Sequence, residues 1–185
     1  DFDIYHEAGF FPFAVPPRVK TVFTLHDLSV ILFPEHHPLE RVFYYRLFFR
    51  KRCKKVDHFL TVSRFTQTEM ERLLDIESKN ISVTHLAHDP KLFYPKPEKE
   101  VNRFLVGKGL PERYFLFVGS GDPRKNMDII PKALEKAGLC EPLVVSGWSG
   151  WSDRMSWNNV IPLGYISDED LACLYSGALA LILTS

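Results

Sequence analysis

Arg124 and Lys125 stand side by side just after Gly119-Ser120-Gly121. A forked guanidinium beside a mobile ammonium at a glycine turn is suited to a phosphate or diphosphate. The run 114–118 before them is apolar, aromatic and β-branched, as a buried strand is, and the run 127–137 after them places Ile130, Leu134 and Ala137 on one side of a helix. A strand that empties through glycines into a helix start leaves backbone amides pointing outward, so turn and cations together hold an anion. The bland alternative is a solvated pair capping an ordinary loop. GSGDPR has neither the G-x-G-x-x-G spacing nor a G-K-[ST] ending, so any nucleotide here is held differently from both common motifs. A second candidate, His26 with Asp27, follows the apolar run KTVFTL at the strand end, where α/β sheets carry their ligands.

Such residues need strand ends to stand on. Short apolar runs at 3–6, 20–25, 58–62 and 81–84, then at 114–118, 142–146, 159–163 and 180–183, predict strands with helical stretches between most of them. HEAGFFPFAVPPR, with its prolines and phenylalanines, reads as an ordered, partly buried connection. A helix over 39–55 has Val42, Phe43, Leu47, Phe49 and Cys53 on its apolar arc and Arg41, Arg46, Arg50, Arg52 and Lys54 among its basic residues. Ser63 or Thr66 caps the next helix, and Thr66 with Glu69 has capping-box spacing. Ser167 is the expected cap of the last, with Leu171, Leu174 and Tyr175 inward. Trp148 and Trp151, in GWSGWSD, either lie beside a ligand or pack at the core edge. The order of strands and helices predicts parallel, doubly wound sheets. Pro90, Pro95 and Pro97 lie in a charged run that marks a boundary. The expected division is a domain at 1–92, a linker at 93–107 and a second domain at 108–185, with a short helix or turn over 101–109.

Composition narrows the partners. Lys plus Arg equals Asp plus Glu at 23 each, so no global field argues for nucleic acid. Cys53, Cys140 and Cys173 lie far apart without C-x-x-C spacing, which favours a reducing, cytoplasmic compartment over a disulfide framework or a zinc knuckle. No apolar run approaches the roughly 18 residues of a membrane span. His36 with His37, and His85 with His88, are scattered loop histidines, so no metal site is expected. The chain opens on Asp1 without a methionine and stops in an apolar run, as an internal piece of something longer does.

Several stretches in order carry a resemblance: TLHDLSVILFPEHHP, DHFLTVSRFTQTEM, ISVTHLAHDPKLFYP, FLFVGSGDPRKN and PLGYISDEDLACLYSGALALILTS. Together they resemble the retaining glycosyltransferases of family 4, mannosyltransferase-like members included, across nearly the whole length. The resemblance implies the GT-B fold, α/β with two Rossmann-like doubly wound parallel-sheet domains, each only partly present in this chain. It places Arg124 and Lys125 at the donor diphosphate, His26 at the donor sugar from the opposite domain, and Gly147, Tyr165 and Ile166 near the nucleoside, beside the turn Gly119, Ser120 and Gly121. Two motifs depart mildly: Ala87-His88-Asp89 stands for N-G-V-D, and Asp122 for the glutamate of E-P-R-K-N. The family's glutamate pair, which follows the last strand, is not within these residues, so this piece alone is expected to be inactive.

The implied chemistry is transfer of a sugar from a nucleoside diphosphate, GDP-mannose or a UDP-hexose, to an acceptor hydroxyl with retention. The donor is a substrate and no tightly bound cofactor is implied. Charge on the departing diphosphate is stabilised by Arg124, Lys125 and turn amides, with His26 helping to fix the sugar. The acceptor is a glycan, a lipid-linked or a small molecule. Two other classes remain open: a catalytically silent binding or regulatory module of this fold, and a nucleotide-sugar epimerase or synthase. The helix 39–55 is either packed along a broad arc or rests on an anionic membrane, peripherally at its inner face.

Overall fold

The computed structural model describes residues 2–147 and 158–184. Trp148 and Trp151 lie outside the described residues. The chain divides into two compact units, Asp1–Ala87 and His88–Ser185.

The first unit is a parallel sheet in the order β1 (Ile4–Glu7), β2 (Lys20–Leu25), β3 (His58–Thr61), β4 (Ile81–Val83). In β2 every second residue is buried: Thr21, Phe23 and Leu25 face the core, while Val22 and Thr24 are only partly covered. Helices therefore cover one face of this sheet, α1 (Ser29–Leu32) and α2 (Leu39–Tyr44) preceding a π-helical turn (Tyr45–Phe49), α3 (Arg50–Cys53) and, after β3, α4 (Arg64–Leu74). Phe49 is at the centre, stacked on Tyr45 at 4.5 Å and edge-on to Phe23 at 6.4 Å. Tyr45 donates its hydroxyl to the Phe10 carbonyl, and burial pushes its pKa up to about 12. Of the phenylalanines in the connection after β1, Phe11 is buried; Phe10 and Phe13 are exposed.

Two details differ from expectation. Phe43 and Leu47 point outward, at 65% and 53% exposure, while Val42, Phe49 and Cys53 are buried. Each helical residue turns the direction by about 100°, so the inward arc centred on 42, 49 and 53 leaves 43 and 47 on the flank. Ser63 alone caps α4, its hydroxyl accepting the Thr66 amide at 3.1 Å, and Glu69 bonds Arg72 instead of completing a capping box.

The second unit begins with α5 (Glu98–Lys108), so the stretch expected as a linker contains a helix whose Val101 and Leu105 belong to the core. Then follow β5 (Phe115–Val118), a 3₁₀ turn (Pro123–Lys125), α6 (Ile129–Lys136), β6 (Leu143–Ser146), β7 (Val160–Gly164), α7 (Asp168–Gly177) and β8 (Ala180–Leu181). The sheet is parallel in the order β7-β6-β5-β8. Both faces are covered. Tyr114, Leu116 and Val144 meet Val101, Leu105 and Leu174 of α5 and α7; Phe117, Leu143 and Val145 meet Met127 and Ile130. The continuous burial of β6 is the mark of a strand packed on both sides. Ser167 caps α7 as expected, but Tyr175 is 39% exposed, because Ala172, Cys173 and Leu174 are the residues that turn inward.

Tyr114 is fully buried and donates to the Leu174 carbonyl at 2.8 Å, with its pKa raised to about 12 by desolvation. That carbonyl also accepts the Ala178 amide at 3.1 Å, so losing the hydroxyl does not orphan it. Tyr114→Phe is therefore expected to cost about 1 kcal/mol, and Tyr114→Ala about 3–5 kcal/mol. Urea denaturation of the two variants checks this; equal losses would contradict the division between hydroxyl and ring.

Candidate functional site

Where β5, β6 and β7 end, their backbones step over one another. The Gly119 amide donates to the Ser146 carbonyl at 2.9 Å, and the Gly147 amide to the Gly164 carbonyl at 2.8 Å. Gly147 has φ 139°, and a Cβ there would lie 2.0 Å from the Gly119 carbonyl oxygen. Gly119 and Gly147 thus build the rim and have their amides engaged. Among the described residues, the amides of Ser120 and Gly121 take no protein acceptor. The Asp122 amide likewise takes none, so the turn presents backbone donors at Ser120, Gly121 and Asp122.

Beyond them the chain makes the 3₁₀ turn, and α6 begins at Ile129, two residues after the helical spacing from Met127 predicts. Asp122 organises the turn. Its carboxylate accepts the Arg124 amide at 2.9 Å and the Arg124 guanidinium at 2.6 Å from Nη2 and 3.0 Å from Nε. Arg124 beside it holds the Asp122 carboxyl below the usual carboxylate range, with the Lys125 charge adding to the effect. Asn126 follows in the left-handed region at φ 46°. From β8's end, the Thr184 hydroxyl reaches the carbonyls of Lys125 at 2.7 Å and Asn126 at 3.1 Å. The cationic pair is thus exposed but its backbone is tied down at both ends.

One rim of the second unit therefore brings together Gly119, Ser120, Gly121, Arg124, Lys125 and Gly147. Tyr165 and Ile166 follow β7 on the same rim, with opposite exposures: Tyr165 is 85% exposed, whereas Ile166 packs against the core. In the first unit His26 follows β2 directly and is exposed; its carbonyl accepts the Thr66 hydroxyl at 3.4 Å. Asp27 accepts the Ser29 amide at 2.8 Å, an orienting contact for the chain leaving the rim. Among the described residues no group of three or more His, Cys, Asp or Glu is placed to hold a metal ion. Asp122 and Thr184 are the site residues that sequence reading missed. An aspartate before proline at a turn is a recognisable capping signal, but nothing local marks Thr184.

Comparison with known proteins adds to this geometry. Residues 1–92 match the family model described as Glycosyltransferase Family 4. The chain is 32% identical over 190 residues to O-antigen chain mannosyltransferase B of Escherichia coli, covering 95% of this chain and 49% of that protein. It thus spans about half the length of the curated relatives it matches. Among solved structures it resembles Anabaena Alr3699/HepE in complex with UDP-glucose, with TM-score 0.70, 18% identity and coverage of 91% of this chain and 47% of that one. It also resembles WaaG, a glycosyltransferase involved in lipopolysaccharide biosynthesis, with TM-score 0.72, 17% identity and coverage of 96% and 52%. These likenesses show the GT-B fold class of the parallel α/β units.

The Asp122–Arg124 pair makes a pH prediction. Because the folded pKa of Asp122 lies below its unfolded value of about 3.9, the pair stabilises the fold above that pH and is lost as pH falls through the folded pKa. Asn at position 122 can still accept the Arg124 amide, so Asp122→Asn isolates the ion pair, worth roughly 0.5–1 kcal/mol at this partly exposed site. The penalty, measured by urea denaturation, should be constant between about pH 5 and 8 and shrink as pH falls below about 4. A penalty as large at the acid end as at neutrality would show that the charge is not responsible.

Proposed function

This chain is a relative of glycosyltransferase family 4, and from that premise we propose that it is part of a retaining enzyme that moves a hexose from a nucleoside diphosphate to an acceptor hydroxyl. The observation that carries the proposal is the Arg124-Lys125 turn, exposed on the rim at the end of β5, with the Ser120 and Gly121 amides beside it. As the bond from the anomeric carbon to the diphosphate oxygen breaks, negative charge grows on the leaving group. Fixed cations and amides that meet that charge lower the barrier. Arg124 is held by Asp122 in an exposed pair of modest strength, so a diphosphate of higher charge competes for its fork. His26 is assigned to the transferring sugar, Tyr165 to the nucleoside, and Gly147 to the rim that supports both loops. The mannosyltransferase relative supports mannose as the sugar moved, from GDP-mannose or a UDP-hexose as donor, and a growing glycan, free or lipid-linked, as acceptor.

In the full-length protein, Arg124→Ala and Lys125→Ala are each expected to lower kcat/KM by about 2–4 kcal/mol of transition-state stabilisation while the melting temperature stays close to wild type. Wild-type kinetics in both variants would remove the diphosphate assignment.

The acceptor side has its own observation. Leu39, Phe43, Leu47 and Phe48 are exposed on α2 and the π-helical turn, among exposed Arg46, Arg50, Lys51, Lys54 and Lys55. No helix among the described residues is long and apolar enough to cross a membrane. An apolar flank with a cationic rim is suited to lie on an anionic surface, and we assign it to peripheral contact at the inner face. The protein should then sediment with anionic vesicles, less at high salt, and Arg46→Glu with Arg50→Glu should reduce that. Equal partitioning of wild type and double variant onto anionic and neutral vesicles would leave this flank as an ordinary protein surface.

A further inference from the structure

Thr184 lies 59 residues from Lys125 in sequence, yet its hydroxyl meets the carbonyls of Lys125 at 2.7 Å and Asn126 at 3.1 Å. The sheet explains the meeting. β8 pairs with β5 through Phe115 opposite Ala180 and Leu116 opposite Leu181, and the Ile182 amide continues the ladder to the Leu116 carbonyl at 2.8 Å. Counting onward from the Leu116 and Leu181 pair, Thr184 comes level with Gly119, at the mouth of the cationic turn. The carbonyls it meets are poorly served by their own segment. Asn126 is left-handed, which turns the chain away from a continuous helix, and among the described residues the backbone amide bonded to its carbonyl, that of Ile129, is at 3.4 Å. One hydroxyl from the segment that follows β8, its proton shared between the two carbonyls, thus fastens the turn at the residue that carries the Lys125 side chain and at the next one. Asp122 fastens it at Arg124.

We propose that Thr184 is a positioning residue for diphosphate binding, its hydroxyl holding the Arg124-Lys125 turn in the geometry that the anion meets. The inference rests on the assignment of that turn to the donor diphosphate. A turn that must be ordered at the moment of binding loses affinity to the cost of ordering it; a turn already tied to β8 does not. Thr184 touches no ligand itself. It acts through the backbone of Lys125 and Asn126, so its removal should weaken ligands that carry a diphosphate and leave ligands without one unaffected.

The test uses the full-length protein, titrated calorimetrically with a panel of nucleoside diphosphates and with the nucleoside matching the tightest of them. Thr184→Val, which keeps the shape and removes the hydroxyl, should weaken the nucleoside diphosphate about tenfold and leave the nucleoside unchanged. Thr184→Ser should restore binding to within about threefold of wild type. Thr184→Ala provides the same reading if the valine variant folds poorly. Adding Thr184→Val to Arg124→Ala with Lys125→Ala should cause no further loss, since the residues it positions are gone. Wild-type affinity in Thr184→Val and Thr184→Ala, or an equal loss for nucleoside and diphosphate, would overturn the inference while leaving the turn's assignment intact. Wild-type affinity in Arg124→Ala and Lys125→Ala, or no diphosphate binding by the wild type, would overturn the assignment and this inference with it.

Discussion

β5 is hydrogen-bonded along both edges, to β6 on one side and to β8 on the other, and the candidate site is what these three parallel strands release at their common end. Parallel pairing forces every strand to finish at the same rim, so the residues that follow each strand become neighbours however distant they are in sequence. Gly147 comes against Gly119, and Thr184 against the turn at Lys125 and Asn126, by this rule. The rim is closed tightly enough that the carbonyl of Gly119 occupies the space a side chain at 147 would need. Backbone crossing at that distance leaves the turn after Gly121 as the first segment able to carry exposed charge.

Charge on that turn is arranged with little burial. Arg124 and Asp122 form a close pair whose side chains retain 39% and 20% exposure, so solvent keeps the interaction modest. A buried pair would hold Arg124 too firmly to be redirected, and a buried guanidinium without a partner would not be tolerated. An exposed pair does neither. Asp122 keeps the fork oriented on the turn, and a competing polyanion needs to exceed only a small interaction.

The two sheets solve the problem of a parallel sheet differently. In the second unit helices lie on both faces, and Leu143, Val144 and Val145 are buried in succession. In the first unit burial alternates, and the less covered face carries polar pairs between adjacent strands: His6 with Thr24 at 2.8 Å, and His58 with Ser82 at 2.9 Å. Both pairs are diagonal across the ladder, which brings an imidazole and a hydroxyl into reach without a core contact. This alternation explains why KTVFTL, apolar enough to pass for a strand buried on both sides, has only Thr21, Phe23 and Leu25 inside.

What the sequence by itself determined is what local chemistry determines. Runs of β-branched and aromatic residues marked the strands, Ser63 and Ser167 marked helix starts, and the glycines before Arg124 and Lys125 marked a strand end with cations behind it. Each of these signals is carried by residues within a turn or two of one another. The tertiary structure decided the rest, because those outcomes depend on which segments become neighbours. Phe43 and Leu47 share the apolar chemistry of Phe49, and only packing against Phe23 and Phe11 sets which of them is inside. Tyr175 lost its expected inward place to Ala172 and Cys173, and its ring meets Phe93 edge-on at 6.2 Å instead. The amide of Gly119 looked available for an anion and is bonded to Ser146 instead, since β6 runs beside it. Thr184 reads locally as the polar end of an apolar strand; its bond to the Lys125 carbonyl exists only because β8 lies against β5, a pairing that no sequence window contains.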